Sequence, residues 1–105
     1  MDSIPEIDIT GAKARLDAGG TLFVDVRDPG SYRAARIPGA RHVNDENLRQ
    51  FLDETARDRP LVVYCYHGHM SLGGAAYFIE QGFTDVASLA GGFEAWRGAH
   101  PQDSG

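Results

Sequence analysis

Residues 61–65 read Leu-Val-Val-Tyr-Cys, with Pro60 before them and no polar position among them. A strand with one wet face alternates polar and apolar residues. A run without alternation reads as a strand covered on both faces. Thr21 to Val26 is a second near-continuous run of the same kind. Two such strands call for helices packed above and below a parallel sheet. The first run also ends abruptly in the only cysteine of the chain. Ser71 to Ile79, just beyond, has helical spacing. Cys65 is therefore placed between the carboxyl end of a strand and the N-terminus of a helix. Open α/β sheets put their ligands in that crevice. The helix N-terminus there offers free N–H groups and partial positive charge to an anion.

Strands and helices alternate along the rest of the chain. Glu6 to Ile9 alternates as a short half-buried strand does. Thr10 is placed to cap a helix over Gly11 to Ala18, with Ala12, Ala14 and Leu16 inward and Gly19-Gly20 ending it. Asp28-Pro29 pairs a capping residue with proline at the first helical position, and that short helix is expected to reach Ala35. Ile37 to Ala40 reads as a turn and Arg41 to Val43 as a brief strand. Asp45 is placed to cap a helix whose apolar stripe is Leu48, Phe51 and Leu52. The helix after the cysteine is expected to turn Leu72, Ala75, Ala76 and Ile79 inward, with Gly82 ending it. Thr84 to Leu89 reads as a strand, Gly91-Gly92 as a turn, and Phe93 to Trp96 as the start of a last helix. Residues 98–105 read as a loose tail. The expectation is one α/β domain over residues 1–105, with a parallel sheet and helices on both faces.

Charge and cysteine count narrow the function. Fifteen acidic against ten basic residues leave a net charge of −5. No basic run is present, so neither nucleic acid nor an anionic membrane surface is an expected partner. An anion bound here has to be held by a local feature, against the net field. One cysteine allows no internal disulfide. No leader-like segment opens the chain, and no apolar run approaches the ~20 residues of a bilayer span. A soluble, cytoplasmic monomer is expected.

A thiol reacts as its thiolate, and an ordinary cysteine has a pKa of ~8.5. If Tyr66 to Ser71 wrap around Cys65, their N–H groups converge on the sulfur as an anion nest. Gly68 suits the positive φ that a tight wrap needs. The same array suits a thiolate, a persulfide or a bound oxyanion. With no second thiol in the chain, a sulfur atom or oxidised state on Cys65 has to leave to an external acceptor. On these residues alone two readings stay open, a nucleophile and a buried core cysteine. The spacing Cys65-x-His67-x-His69 is not that of structural zinc motifs, and no metal is expected.

Three segments together resemble the rhodanese domain family. They are Val24-Asp25-Val26-Arg27-Asp28-Pro29 with Ile37-Pro38-Gly39-Ala40, then Cys65-Tyr66-His67-Gly68, then Gly91-Gly92-Phe93-Glu94-Ala95-Trp96. They stand in the family's order. The resemblance implies a rhodanese-like fold, a small parallel five-stranded sheet flanked by helices. It also implies a single-domain thiosulfate sulfurtransferase. Cys65 would attack the outer sulfur of thiosulfate, release sulfite and hold a persulfide. Cyanide, or a thiol acceptor such as thioredoxin, would then take the sulfur. The resemblance implies no metal or organic cofactor. It makes Tyr66, His67, Gly68, His69, Met70 and Ser71 the substrate-binding loop, and Asp25, Arg27 and Arg36 supporting residues, the first two as an ion pair.

Loop length separates branches of this superfamily. The six-residue loop Cys65 to Met70 goes with sulfur transfer. A seven-residue loop ending in arginine goes with phosphatase and arsenate-reductase relatives, and Ser71 stands where that arginine would be. His69 and Met70 replace a small polar pair, and the loop has no lysine or arginine. That departure supports an alternative reading, a persulfide carrier or partner-binding module with little thiosulfate turnover.

Overall fold

The computed structural model describes residues 3–105. The apolar run becomes the middle strand of the sheet. We number the strands β1 (Glu6–Ile7), β2 (Leu22–Asp25), β3 (Arg41–His42), β4 (Leu61–Tyr64) and β5 (Val86–Leu89). Their order across the sheet is β1-β5-β4-β2-β3, and every pairing is parallel. Val63 of β4 aligns with Val24 on one side and Ser88 on the other. All four residues of β4 are fully buried.

Alternation along β4 sorts the core into two layers. Val62 and Tyr64 join Phe23, Leu89, Phe93 and Trp96 on one face. Leu61 and Val63 join Val24, Phe51, Ala75 and Phe78 on the other. Helices α1 (Ile9–Ala18), α2 (Pro29–Ala34) and α5 (Gly92–Ala99) supply the first layer. Helices α3 (Leu48–Glu54) and α4 (Met70–Glu80) supply the second. This is the expected parallel five-stranded sheet with helices on both faces. Each buried Val, Leu or Phe contributes roughly 1.5–3 kcal/mol.

Element ends differ from expectation, and each has a local cause. Asp8, not Thr10, caps α1, and its carboxylate accepts the Gly11 N–H at 2.8 Å. The helix therefore starts at Ile9, shortens β1 to Ile7 and leaves Ala14 exposed. Asp45 does not cap α3. Asn44 and Asn47 bond each other's backbone instead, and Asn47 donates to the His42 carbonyl at 2.8 Å. Helix α4 buries Ser71, Ala75 and Phe78 and leaves Ile79 39% exposed. Its phase follows Ser71, which is held inward by partners on β4's end and on β5. The tail read as loose is tied down. A 3-10 helix spans Pro101–Asp103, and the Trp96 indole N–H donates to the Asp103 carbonyl at 3.0 Å. Lys13 pairs with the Asp103 carboxylate at 3.0 Å. No helix among the described residues is long and apolar enough to cross a membrane.

Two glycines give opposite expectations. At Gly92 (φ +62) a Cβ would run into the Tyr66 carbonyl and lie 2.7 Å from the Cys65 oxygen, both backbone. Gly92→Ala is expected to cost about 3 kcal/mol or more, since neither carbonyl can move without opening the loop. At Gly73, an exposed α4 position, a Cβ meets nothing within 4 Å. Gly73→Ala is expected to stabilise by about 0.5–1 kcal/mol. Urea titration of both variants checks the pair.

Candidate active site

At the end of β4 the chain turns through Cys65 to His69 and enters α4. The turn closes around the sulfur. Gly68 N–H donates to Cys65 Sγ at 3.2 Å and Ser71 N–H at 3.3 Å. Ser71 Oγ lies 3.4 Å from the same atom. Gly68 has φ +90, and a Cβ there would sit 3.0 Å from the Gly91 nitrogen and 3.1 Å from the Leu89 oxygen. Only glycine fits both the torsion and the space.

Helix α4 has no side-chain cap at His69. The sulfur takes that place, because Ser71 N–H is one of the first-turn donors that a cap ordinarily satisfies. The loop's carbonyls face the other way. Cys65 O accepts the Phe93 N–H at 2.8 Å and Tyr66 O accepts the Glu94 N–H at 3.0 Å. These are first-turn donors of α5. One helix N-terminus thus faces the sulfur, and a second holds the loop that surrounds it.

Cys65 is 4% exposed. Burial pushes its thiol up. The Ser71 hydroxyl and the N–H groups of Ser71, Gly68 and His67 outweigh burial and hold the thiol below its ordinary value. The geometry therefore favours an anionic sulfur.

Cys65 opens into a cavity of about 330 Å³ lined also by Tyr66, His67, His69 and Met70 of the loop and by Arg27 and Asp28. The lining side chains His67 and His69 are exposed, and Met70 is 70% exposed. Arg27 is buried, and its charge is already engaged. It grips Asp25 through Nε and Nη2 at 2.7–3.1 Å, donates to the Ala35 carbonyl at 2.6 Å, and lies over the Phe93 ring at 4.3 Å. Burial opposes the guanidinium charge, and the Asp25 carboxylate outweighs it and holds Arg27 above its ordinary value. Asp25, fully buried, also accepts the Arg27 N–H at 2.8 Å. It fixes Arg27 rather than facing the cavity.

Arg36 does not join this wall. Its guanidinium turns back along α2, donates to the Tyr32 carbonyl at 3.0 Å and stacks over the Tyr32 ring at 4.5 Å. Three residues outside the expected set of site residues do contribute. Asp28 caps α2, as its sequence position implies, and also lines the cavity. The Ser31 hydroxyl and N–H hold the Asp28 carboxyl below its usual value. Ser31 Oγ accepts from the Tyr66 hydroxyl at 3.0 Å, which ties the loop to α2. Ser88 Oγ lies 2.8 Å from Ser71 Oγ. A serine inside a buried apolar strand was the available signal for the last. Among the described residues, no three His, Cys, Asp or Glu side chains converge as a metal site.

The sequence pattern of the rhodanese-like domain family matches residues 8–99. A protein of Pseudomonas paraeruginosa named thiosulfate sulfurtransferase GlpE is 49% identical over 90 residues, covering 86% of this chain and 82% of its own. A GlpE of Pseudomonas aeruginosa is 48% identical over the same share. Among solved structures, the rhodanese-like domain of the Anabaena protein Alr3790 superposes with a TM-score of 0.81 at 26% identity, covering 94% of this chain and 76% of that one.

Two variants test the site's physics. Ser71→Ala removes one donor to the sulfur, and the Cys65 thiol pKa is expected to rise by about one unit, since a hydrogen bond to a charged group is worth ~1.5–3 kcal/mol and one unit is ~1.4 kcal/mol. Alkylation rate against pH reads it. Asp25→Ala strands a buried guanidinium and is expected to cost about 3–5 kcal/mol of stability. Thermal and urea unfolding read that.

Proposed function

The chain belongs to the rhodanese-like domain family, and on that premise we propose that it is a thiosulfate sulfurtransferase working through a persulfide on Cys65. The observation that carries the reading is the pair of Gly68 and Ser71 N–H groups converging on Cys65 Sγ, with Ser71 Oγ 3.4 Å away, in the lining of an open cavity. The Cys65 thiolate attacks the outer sulfur of thiosulfate. The S–S bond breaks and sulfite leaves with its electron pair. The sulfur left on Cys65 carries the negative charge, and the loop donors that stabilised the thiolate stabilise the persulfide anion. Cyanide, or a thiol acceptor such as thioredoxin, then takes the outer sulfur and returns the thiolate. His67 lines the same cavity, and its proposed role is to donate to a departing sulfite oxygen. Tyr66 and Ser31 hold the loop's shape, and Arg27 with Asp25 forms the fixed wall behind it. A lone reactive thiol stays reduced in a cytoplasmic setting, which is the location proposed.

Cys65→Ser and Cys65→Ala are expected to abolish thiosulfate:cyanide turnover. Intact mass after thiosulfate treatment is expected to rise by about 32 Da, to revert with cyanide, and to stay unchanged without Cys65. Undiminished turnover in either variant removes the proposal.

A second reading is favoured by one feature of the cavity. Among the described residues, the only buried cation lining it is already paired with Asp25, and the exposed side chain at Met70 is apolar. The fold would then serve as a persulfide carrier, loaded by another protein rather than by thiosulfate. Met70→Arg separates the two. For a sulfurtransferase it adds the missing cation, and the KM for thiosulfate is expected to fall about threefold at low salt. For a carrier, thiosulfate turnover stays slow in both proteins while Cys65 loads readily from a protein persulfide.

A further inference from the structure

Strand β5 reads Val86-Ala87-Ser88-Leu89, with one polar side chain in an apolar run. Ser88 and Ser71 are both 0% exposed. An unpartnered hydroxyl in such surroundings is costly. Ser88 Oγ lies 2.8 Å from Ser71 Oγ, which in turn lies 3.4 Å from Cys65 Sγ. Among the described residues, Ser71 is the only partner of the Ser88 hydroxyl. Three atoms on three elements, the end of β4, the first turn of α4 and the middle of β5, thus form one line.

The protons along that line can be counted. When the sulfur is anionic there are two. Ser71 O–H donates to Sγ and Ser88 O–H donates to Ser71 Oγ, so each proton has an acceptor. When Cys65 is a thiol donating into the line there are three, and the last, on Ser88, has no acceptor among the described residues. A thiol can instead turn its S–H toward the cavity. Its sulfur then offers a weaker acceptor to the Gly68 and Ser71 donors around it. Both arrangements leave the anionic sulfur better matched.

We propose that Ser88 is a positioning residue for the sulfur of Cys65: its hydroxyl donates to Ser71 Oγ and thereby commits the Ser71 proton to the sulfur, favouring the thiolate and the persulfide anion. The inference rests on the persulfide role given to Cys65 above, but acts on ionisation, which is measurable without turnover. The ionisable groups facing Cys65 around the cavity are Arg27, Asp28, Tyr66, His67 and His69. From α4 and β5, Ser71 and Ser88 offer only neutral hydroxyls. A substitution at Ser88 leaves all the charged groups in place.

The test is the pH titration of the Cys65 thiol, followed by alkylation rate and by thiolate absorbance in the parent, Ser88→Ala, Ser88→Thr, Ser71→Ala and the double alanine variant. Ser88→Ala is expected to raise the midpoint by about half a unit, roughly threefold less thiolate at a pH below it. Ser88→Thr, which keeps the hydroxyl, is expected to return toward the parent. The double variant is expected to titrate with Ser71→Ala alone, because Ser88 acts only through Ser71. A folded Ser88→Ala protein that titrates with the parent overturns the proposal, as does full additivity with Ser71→Ala. Should Ser88→Ala fail to fold, the parent still decides. The Ser71 hydroxyl proton is expected to shift downfield in NMR spectra as Cys65 ionises, and a Ser71 proton directed at Ser88 throughout overturns the relay. Thiosulfate turnover of the parent is scored separately. A Ser88 effect on titration without turnover sinks the sulfurtransferase reading and supports the relay; turnover without a Ser88 effect does the reverse.

Discussion

Turning the N–H groups of a short loop inward onto a sulfur turns its carbonyls outward, and a buried carbonyl needs a partner. Helix α5 supplies it, with the Phe93 and Glu94 N–H groups on the oxygens of Cys65 and Tyr66. The rest of the site follows from this back-to-back arrangement. It requires the N-terminus of α5 to press against the loop, which leaves no room for a Cβ at Gly92. It fixes Gly68 in the torsion that aims its N–H at Sγ. It also sets the phase of α4, because Ser71 has to meet both the sulfur and Ser88.

The electrostatics follow the same logic. The chain has a net charge of −5, and among the described residues no cationic side chain bonds the sulfur, yet its thiol is held below its ordinary value. The positive potential comes from oriented backbone N–H groups and the N-terminus of α4, which stay in place and need no reorganisation as charge moves onto the sulfur. Arg27 is the exception that clarifies the rule. Bound to Asp25, to the Ala35 carbonyl and against aromatic rings, it serves as a wall, and its charge is largely cancelled at short range. A site of this kind responds more to loss of a hydrogen-bond donor than to ionic strength.

Much of this was legible in the residues. The unbroken apolar runs at β2 and β4 forced a parallel sheet covered on both faces, and Cys65 at the end of one forced the thiol toward a helix N-terminus. What was misread depended on competition between neighbours. Asp8 and Thr10 both can cap α1, and the carboxylate two residues earlier wins. Asp45 loses its place to paired asparagines whose bonds are to backbone. The resemblance makes Arg36 a supporting residue, whereas its guanidinium bonds the Tyr32 carbonyl and lies over the Tyr32 ring. The tail looked loose because its partners, Trp96 and Lys13, lie at quite different sequence distances.

Helical periodicity alone placed Ile79 inside and overlooked Phe78, since it weighs apolar residues and not the bonds of a serine. The layered sheet, the loop and the thiol at its centre could be read from the residues, because those rest on apolar pattern, glycine torsions and chain order, all local properties. What supports that loop from outside came from the folded arrangement alone. Ser88, Gly92 and the first turn of α5 approach Cys65 from far along the chain, and hydrogen bonds act over a few ångströms of space regardless of sequence distance.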